Sequence, residues 1–134
     1  MLDTPTLKIE IEKISESKIS SVDFNNIPFG RTFSDHMLVA EYYDGAWHSA
    51  KIKPFGPLPF SPATSILHYG QAIFEGMKAH RTDDGKIALF RPEKNIERFN
   101  KSAVRMSMPE VPEDLFSEGL HQLISLDSQW IPNT

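Results

Sequence analysis

The sequence predicts an α+β fold, an antiparallel β-sheet with two helices packed on it. Three observations lead there. Strand-like segments joined by Asp-Gly turns fill the chain up to Phe90. From Ile96 onward the apolar residues change to helical spacing. The length of 134 residues suits one ordinary domain, and 40% hydrophobic with 24% charged residues is the balance of a chain with a core.

The elements follow in order. Leu7-Lys8-Ile9-Glu10-Ile11-Glu12 alternates apolar and charged residues, the period of a half-buried strand. Ser15-Glu16-Ser17-Lys18 breaks it with small polar residues. Residues 1–28 are assigned to an N-terminal arm and 29–134 to the domain proper. Met37 to Tyr42 favours strand by composition, and Asp44-Gly45 is a strong hairpin turn before a return strand from Trp47 to Ile52. Pro54, Pro57, Pro59 and Pro62 then forbid a regular element. A second hairpin is expected, rising from Phe74 to Arg81, turning at Asp83-Asp84-Gly85 and returning from Lys86 to Phe90.

Ile96, Phe99, Ala103 and Met106 share one face of a first helix, with Pro92 in its first turn. Pro109 and Pro112 close it and open a second helix. Phe116, Leu120, Leu123 and Ile124 give that helix an apolar stripe, and Glu113 and Asp114 sit at its positive end.

Composition excludes several functions. A net charge of −4 argues against nucleic acid as a main partner, because phosphate binding wants a basic excess. The absence of cysteine removes disulfides, thiolate zinc sites and cysteine nucleophiles. Met1-Leu2-Asp3-Thr4-Pro5 lacks the basic and apolar regions of a secretory signal. No stretch approaches the roughly 18 apolar residues of a membrane span. A cytoplasmic protein without a membrane partner is therefore expected.

Candidate chemistry is sparse. None of the five histidines pairs with another at helical spacing, so no metal site is expected. Asp35-His36 could be an oriented base, but neighbours in a strand face opposite ways, which favours a turn residue and a hydrogen-bonded imidazole. Asp83-Asp84-Gly85 lacks the alternating oxygen ligands of a calcium loop. Arg91, Arg98 and Arg105 recur every seven residues near one helix face, and arginine is a natural clamp for phosphate. Spacing alone favours a solvated face, with Glu93, Glu97 and Lys101 as partners. The segment Leu67 to Lys78 combines His68, Tyr69 and Phe74 with Gly70 and Gly76. Glycine admits close approach and aromatics line apolar pockets, yet packing at a strand entrance explains the segment equally well.

A resemblance separates these alternatives. Phe29-Gly30, Phe33-Ser34-Asp35-His36-Met37, Ile52-Lys53-Pro54, Leu67-His68-Tyr69, Phe74-Glu75-Gly76-Met77-Lys78, Ile96-Glu97-Arg98 and Ser102-Ala103-Val104-Arg105 occur in that order. The set resembles the N-terminal half of branched-chain amino acid aminotransferases, fold-type IV enzymes that use pyridoxal 5′-phosphate (PLP). The likeness runs from about Phe29 to Trp130. It implies the small N-terminal domain of such an enzyme. It implies that Arg98 binds the cofactor phosphate and that Phe29 and Phe74 line the pocket for the substrate's branched side chain. The backbone near Gly76 would lie close to substrate, and Tyr69 would reach the pocket of the partner subunit in a homodimer. Implied substrates are branched-chain amino acids and 2-oxo acids.

The family's Schiff-base lysine and the C-terminal cofactor domain would lie beyond these residues, so no catalytic residue is assigned and inactivity alone is expected. Lys78 matches a strand residue of the family and not the catalytic lysine. Two alternatives remain. One is another fold-type IV enzyme, a D-amino acid aminotransferase or an aminodeoxychorismate lyase, against which the Phe33 to Met37 block weighs. The other is a stand-alone, non-catalytic interaction module.

Overall fold

β2 (His36–Tyr43) and β3 (Ala46–Pro54) form the hairpin foreseen around Asp44-Gly45. Both turn residues have positive φ, 49° and 79°, the pair of left-handed conformations that a tight two-residue hairpin turn requires. The structure, a computed structural model, describes residues 8–133. Met1 to Pro5 and Leu7, on which the signal and first-strand expectations partly rested, lie outside the described residues, as does Thr134.

The strands pair antiparallel, His36 opposite Pro54 and Tyr43 opposite Ala46, with a register shift between Ala40 and Tyr42. β1 (Ile9–Ile11) adds to the free side of β3 in the parallel sense, Ile9 opposite Ala50 and Ile11 opposite Ile52. The sheet is therefore mixed, in the order β1-β3-β2. The N-terminal segment returns to the sheet through a loop and a 3-10 turn at Ile19–Ser21, which lets a parallel strand form. As the central strand, β3 carries Ala50 and Ile52, both buried.

α1 (Ser65–Tyr69) is a single short helix that the sequence did not announce. It is too brief for apolar periodicity to register. Gly70 ends it in the left-handed conformation, φ 62°, a common helix stop. Of the second expected hairpin only β4 (Ala79–Arg81) and β5 (Ile87–Leu89) are strands. Phe74 to Lys78 is not: at its centre the Gly76 carbonyl accepts from the Asn95 side chain and the Gly76 N–H donates to Glu75, with no strand beside them.

α2 (Pro92–Arg105) begins at Pro92 as expected and buries Ile96 and Ala103. α3 (Glu113–Leu126) packs on β2 and β3 and against α2. The rings of Phe99 and Phe116 lie 6.3 Å apart across the helix pair. Asn100 clips the connection between them, accepting from the Val111 N–H at 2.9 Å and donating to the Val111 carbonyl at 2.8 Å. The inward face of α3 is centred on Leu115 and Gly119, whereas Phe116, Leu120, Leu123 and Ile124 are only half-buried. Glycine shifts the centre: a Cβ at Gly119 would overlap the Leu38 Cδ2 methyl, so the bare backbone brings helix and sheet together.

A buried polar knot fixes the start of β2. The Asp35 carboxylate accepts from the Ser17 hydroxyl at 2.5 Å, the Lys18 N–H at 3.1 Å and the Trp130 indole N–H at 2.8 Å. The Ile14 N–H donates to His36 Nε2 at 3.1 Å. The ring proton therefore sits on Nδ1, which donates to Asp127 Oδ1 at 2.6 Å. The His36 backbone N–H donates to Asp127 Oδ2 at 2.9 Å. Asp35 and His36 are thus structural, and the hydrogen-bonded imidazole expected at His36 is present. Arg81 ties the small hairpin to the same region through the carbonyls of Ser128 and Ile131.

Candidate functional site

Between Gly70 and β4 the chain has no strand partner, and two side chains of α2 bond to it at Glu75 and Gly76. Asn95 and Arg98 are three residues apart, so they share one helix face. Both reach Glu75. Arg98 Nε donates to Glu75 Oε2 at 2.7 Å and Nη2 to Oε1 at 2.5 Å, a two-pronged pairing of planar groups. Asn95 Nδ2 donates to Glu75 Oε1 and to the Gly76 carbonyl, each at 3.0 Å. The Gly76 N–H donates to Oε1 at 3.1 Å.

The two partners differ in exposure. The Glu75 side chain is 9% exposed and that of Arg98 65%. The Arg98 guanidinium, with help from Asn95, holds the Glu75 carboxyl at about 2, while Glu75 raises Arg98 above its ordinary value. A guanidinium has five N–H donors. Glu75 uses two, leaving both protons of Nη1 and one of Nη2 outside the pair.

Arg98 borders a shallow cleft of about 410 Å³. Ile73, Phe74 and Met106 give it apolar lining, and Arg98, Lys101 and Arg105 give it positive charge. Lys101 is already bonded to Glu97 at 2.7 Å, as is Lys94 at 2.6 Å, and these two lysines hold the Glu97 carboxyl at about 2. Arg91 is set apart from the other two arginines. It precedes the helix with φ 50° and lies 3.5 Å from Glu93. The evenly spaced trio is therefore not one functional face: Arg98 and Arg105 share the cleft, and Arg91 does not.

Among the expected site residues, Phe74, Gly76 and Arg98 come together. Phe74 lines the cleft, and a Cβ on Gly76 would sit 3.5 Å from its ring. Phe29 and Tyr69 are not among the residues lining the cleft. All three aromatics are open to solvent, Phe29 fully, Phe74 at 89% and Tyr69 at 85%. Sequence reasoning gave no role to Glu75 or Asn95. The spacing of Asn95 and Arg98 could have flagged the helix half of this cluster, but Glu75 joins it through the fold. Among the described residues no three His, Asp or Glu side chains gather as metal ligands. None of the described helices is long and apolar enough to cross a membrane.

No family model matches the chain. It is 50% identical over 111 residues to branched-chain-amino-acid transaminase 1 of Bacillus subtilis, covering 82% of this chain and 31% of that protein. It is 43% identical over 129 residues to branched-chain-amino-acid aminotransferase 2 of the same organism, covering 96% of this chain and 35% of the relative. A probable branched-chain-amino-acid aminotransferase of Streptomyces coelicolor is 42% identical over 134 residues, 98% of this chain and 37% of its own length. The chain spans about a third of the length of these relatives.

Proposed function

We propose that this chain, a member of the branched-chain aminotransferase family over the third of its length that it spans, is the N-terminal part of a PLP-dependent enzyme. The enzyme moves amino groups between leucine, isoleucine or valine and 2-oxoglutarate. The observation that carries this reading is the identity of 42–50% across 82–98% of the chain to proteins bearing that name. Residues 1–28 serve as the arm and 29–134 as the small domain. The enzyme works in the cytoplasm as a homodimer, and the lysine that bears the cofactor lies in the remaining two-thirds of the polypeptide.

The residues present fit the phosphate of PLP. Arg98 is exposed, ionised and held in one orientation, with three donors left over, which is what a dianion needs. When bound, PLP supplies an electron sink for negative charge at the amino acid's α-carbon. The chain's own task is to hold and shape. Arg98 anchors the phosphate. Phe29 and Phe74 offer rigid apolar surface to the substrate side chain, where each methylene is worth about 1 kcal/mol. The backbone at Gly76 approaches the substrate, and Tyr69 reaches into the partner subunit's pocket. Full exposure of these aromatics accords with a pocket whose other walls come from elsewhere.

The same exposed aromatics would serve a second reading, a stand-alone interaction module. The test is the mass and absorbance of the protein made from its native gene. A mass more than twice 15.2 kDa, a yellow colour and transamination of leucine with 2-oxoglutarate are expected, with no turnover by the 134 residues alone. A colourless native product of 15.2 kDa would overturn the enzyme reading in favour of the module. Turnover by the short chain would overturn the assignment of the cofactor lysine to the rest of the protein.

A further inference from the structure

Arg98 alone would be a poor anchor. Its side chain is long, two-thirds exposed and free to sample many rotamers, so holding one geometry for a phosphate costs conformational entropy. The structure removes that freedom before any ligand arrives. Glu75, nearly buried, takes the Nε edge of the guanidinium through both carboxylate oxygens. Asn95, from the turn of α2 before Arg98, bonds to the carboxylate and to the Gly76 carbonyl at once. The carboxylate also receives the Gly76 N–H, so its direction is set from three sides.

We infer that Glu75, held by Asn95, is a positioning residue that presents the outer donor edge of Arg98 to a phosphate dianion, an inference that rests on the function proposed above. Two opposed effects make it testable. A negative charge beside Arg98 weakens attraction for a phosphate by Coulomb's law. Pre-organisation strengthens binding by removing the ordering cost. If positioning dominates, removing the Glu75 charge must weaken phosphate binding, the opposite of what charge alone demands.

The cluster also couples the cofactor side to the substrate side. Asn95 and Glu75 bind both polar groups of Gly76, and Phe74 is the next residue but one. The unit that orients Arg98 therefore fixes the backbone path beside the aromatic lining of the cleft.

The experiment follows the Arg98 Nε–H resonance in the ¹⁵N-labelled protein made from its native gene and freed of cofactor, identified by its loss in Arg98→Lys. Pyridoxamine 5′-phosphate is the probe, because it has no aldehyde to react with the lysines. In the free wild-type chain the guanidinium should rotate slowly, and the probe should shift its resonance. Glu75→Gln should free the rotation and weaken binding roughly tenfold. Glu75→Asp, which keeps the charge but shortens the reach, should weaken it as well. Equal or tighter binding by Glu75→Gln, with wild-type binding intact, overturns the positioning role alone. No shift of Arg98 in the wild type overturns its phosphate role and this inference with it. Should Glu75→Gln fail to give a folded spectrum, Asn95→Ala decides. It keeps the ion pair, and unchanged affinity and rotation there would overturn the inference, whereas roughly threefold weaker binding supports it.

Discussion

Replacing Asp127 by alanine should cost about 2–6 kcal/mol of stability. Its carboxylate accepts two bonds from His36, one from the backbone N–H and one from Nδ1, in a place where both residues are buried. Alanine leaves two buried donors without acceptors, at about 1–3 kcal/mol each. His36 cannot relax by moving its proton to Nε2, because that nitrogen accepts the Ile14 N–H. A domain's whole stability is about 5–15 kcal/mol, so the loss is a large fraction of it. Urea unfolding followed by tryptophan fluorescence measures it, with Trp130 reporting from beside Asp35. Asp127→Asn is the control. Its amide oxygen still serves one donor while its NH₂ faces the other, so about half the loss is expected. A change below about 0.5 kcal/mol in the alanine variant would refute the reasoning, since that is the range of ordinary surface substitutions.

Other outcomes follow from the same contacts. Gly119→Ala should destabilise by about 1 kcal/mol, because overpacking against Leu38 outweighs the gain in helix propensity. Adding Leu38→Ala should recover part of that, and strict additivity in the double-mutant cycle would contradict the close contact. Burial raises the Asp35 carboxyl, but bonds from Ser17, Trp130 and the Lys18 N–H outweigh it and leave it below its usual value. A depressed folded value means a contribution present above the ordinary aspartate range and lost as pH falls through the folded value. Trp130→Phe should therefore flatten the acid limb of a stability–pH curve, and an unchanged limb would count against the bond. Glu75 follows the same sign, its pairing complete above about 4.5 and lost as pH falls toward 2. In Arg98→Ala its titration by ¹³C NMR should move up toward the ordinary glutamate value. Phe74→Ala should leave the urea midpoint unchanged, because a side chain 89% exposed contributes little to the fold.

What could be read from sequence was local. Asp44-Gly45 announced a turn because two adjacent residues must take positive φ, and both do. Pro92 and the spacing of Ile96 and Ala103 announced α2 for similarly local reasons. The features that escaped depend on distant partners. β1 was legible as a strand, but its parallel pairing with β3 was not, since pattern says nothing of direction. Phe74 to Lys78 has strand composition, yet the Gly76 carbonyl at its middle is taken by the Asn95 side chain and not by a strand. The centre of the α3 face moved to Leu115 and Gly119 because a periodicity that counts apolar side chains cannot value a missing one. At the site, the family likeness is what singled out Arg98 among the three evenly spaced arginines. Glu75, 23 residues earlier, became visible only through its bonds.

The knot at Asp35 and His36 also sets a clock on synthesis. Its partners Asp127 and Trp130 lie 91 and 95 residues downstream. At ribosomal rates of 5–20 residues per second, a gap of 91 residues is roughly 5 to 18 s. The β2–β3 hairpin can close within microseconds of emerging. It must then wait, with the bonds of its root to Asp127 and Trp130 still unmade, until α3 and the turn after it have left the tunnel. The nascent sheet is thus complete in shape long before it is locked, and that interval is when a chaperone has most reason to hold it.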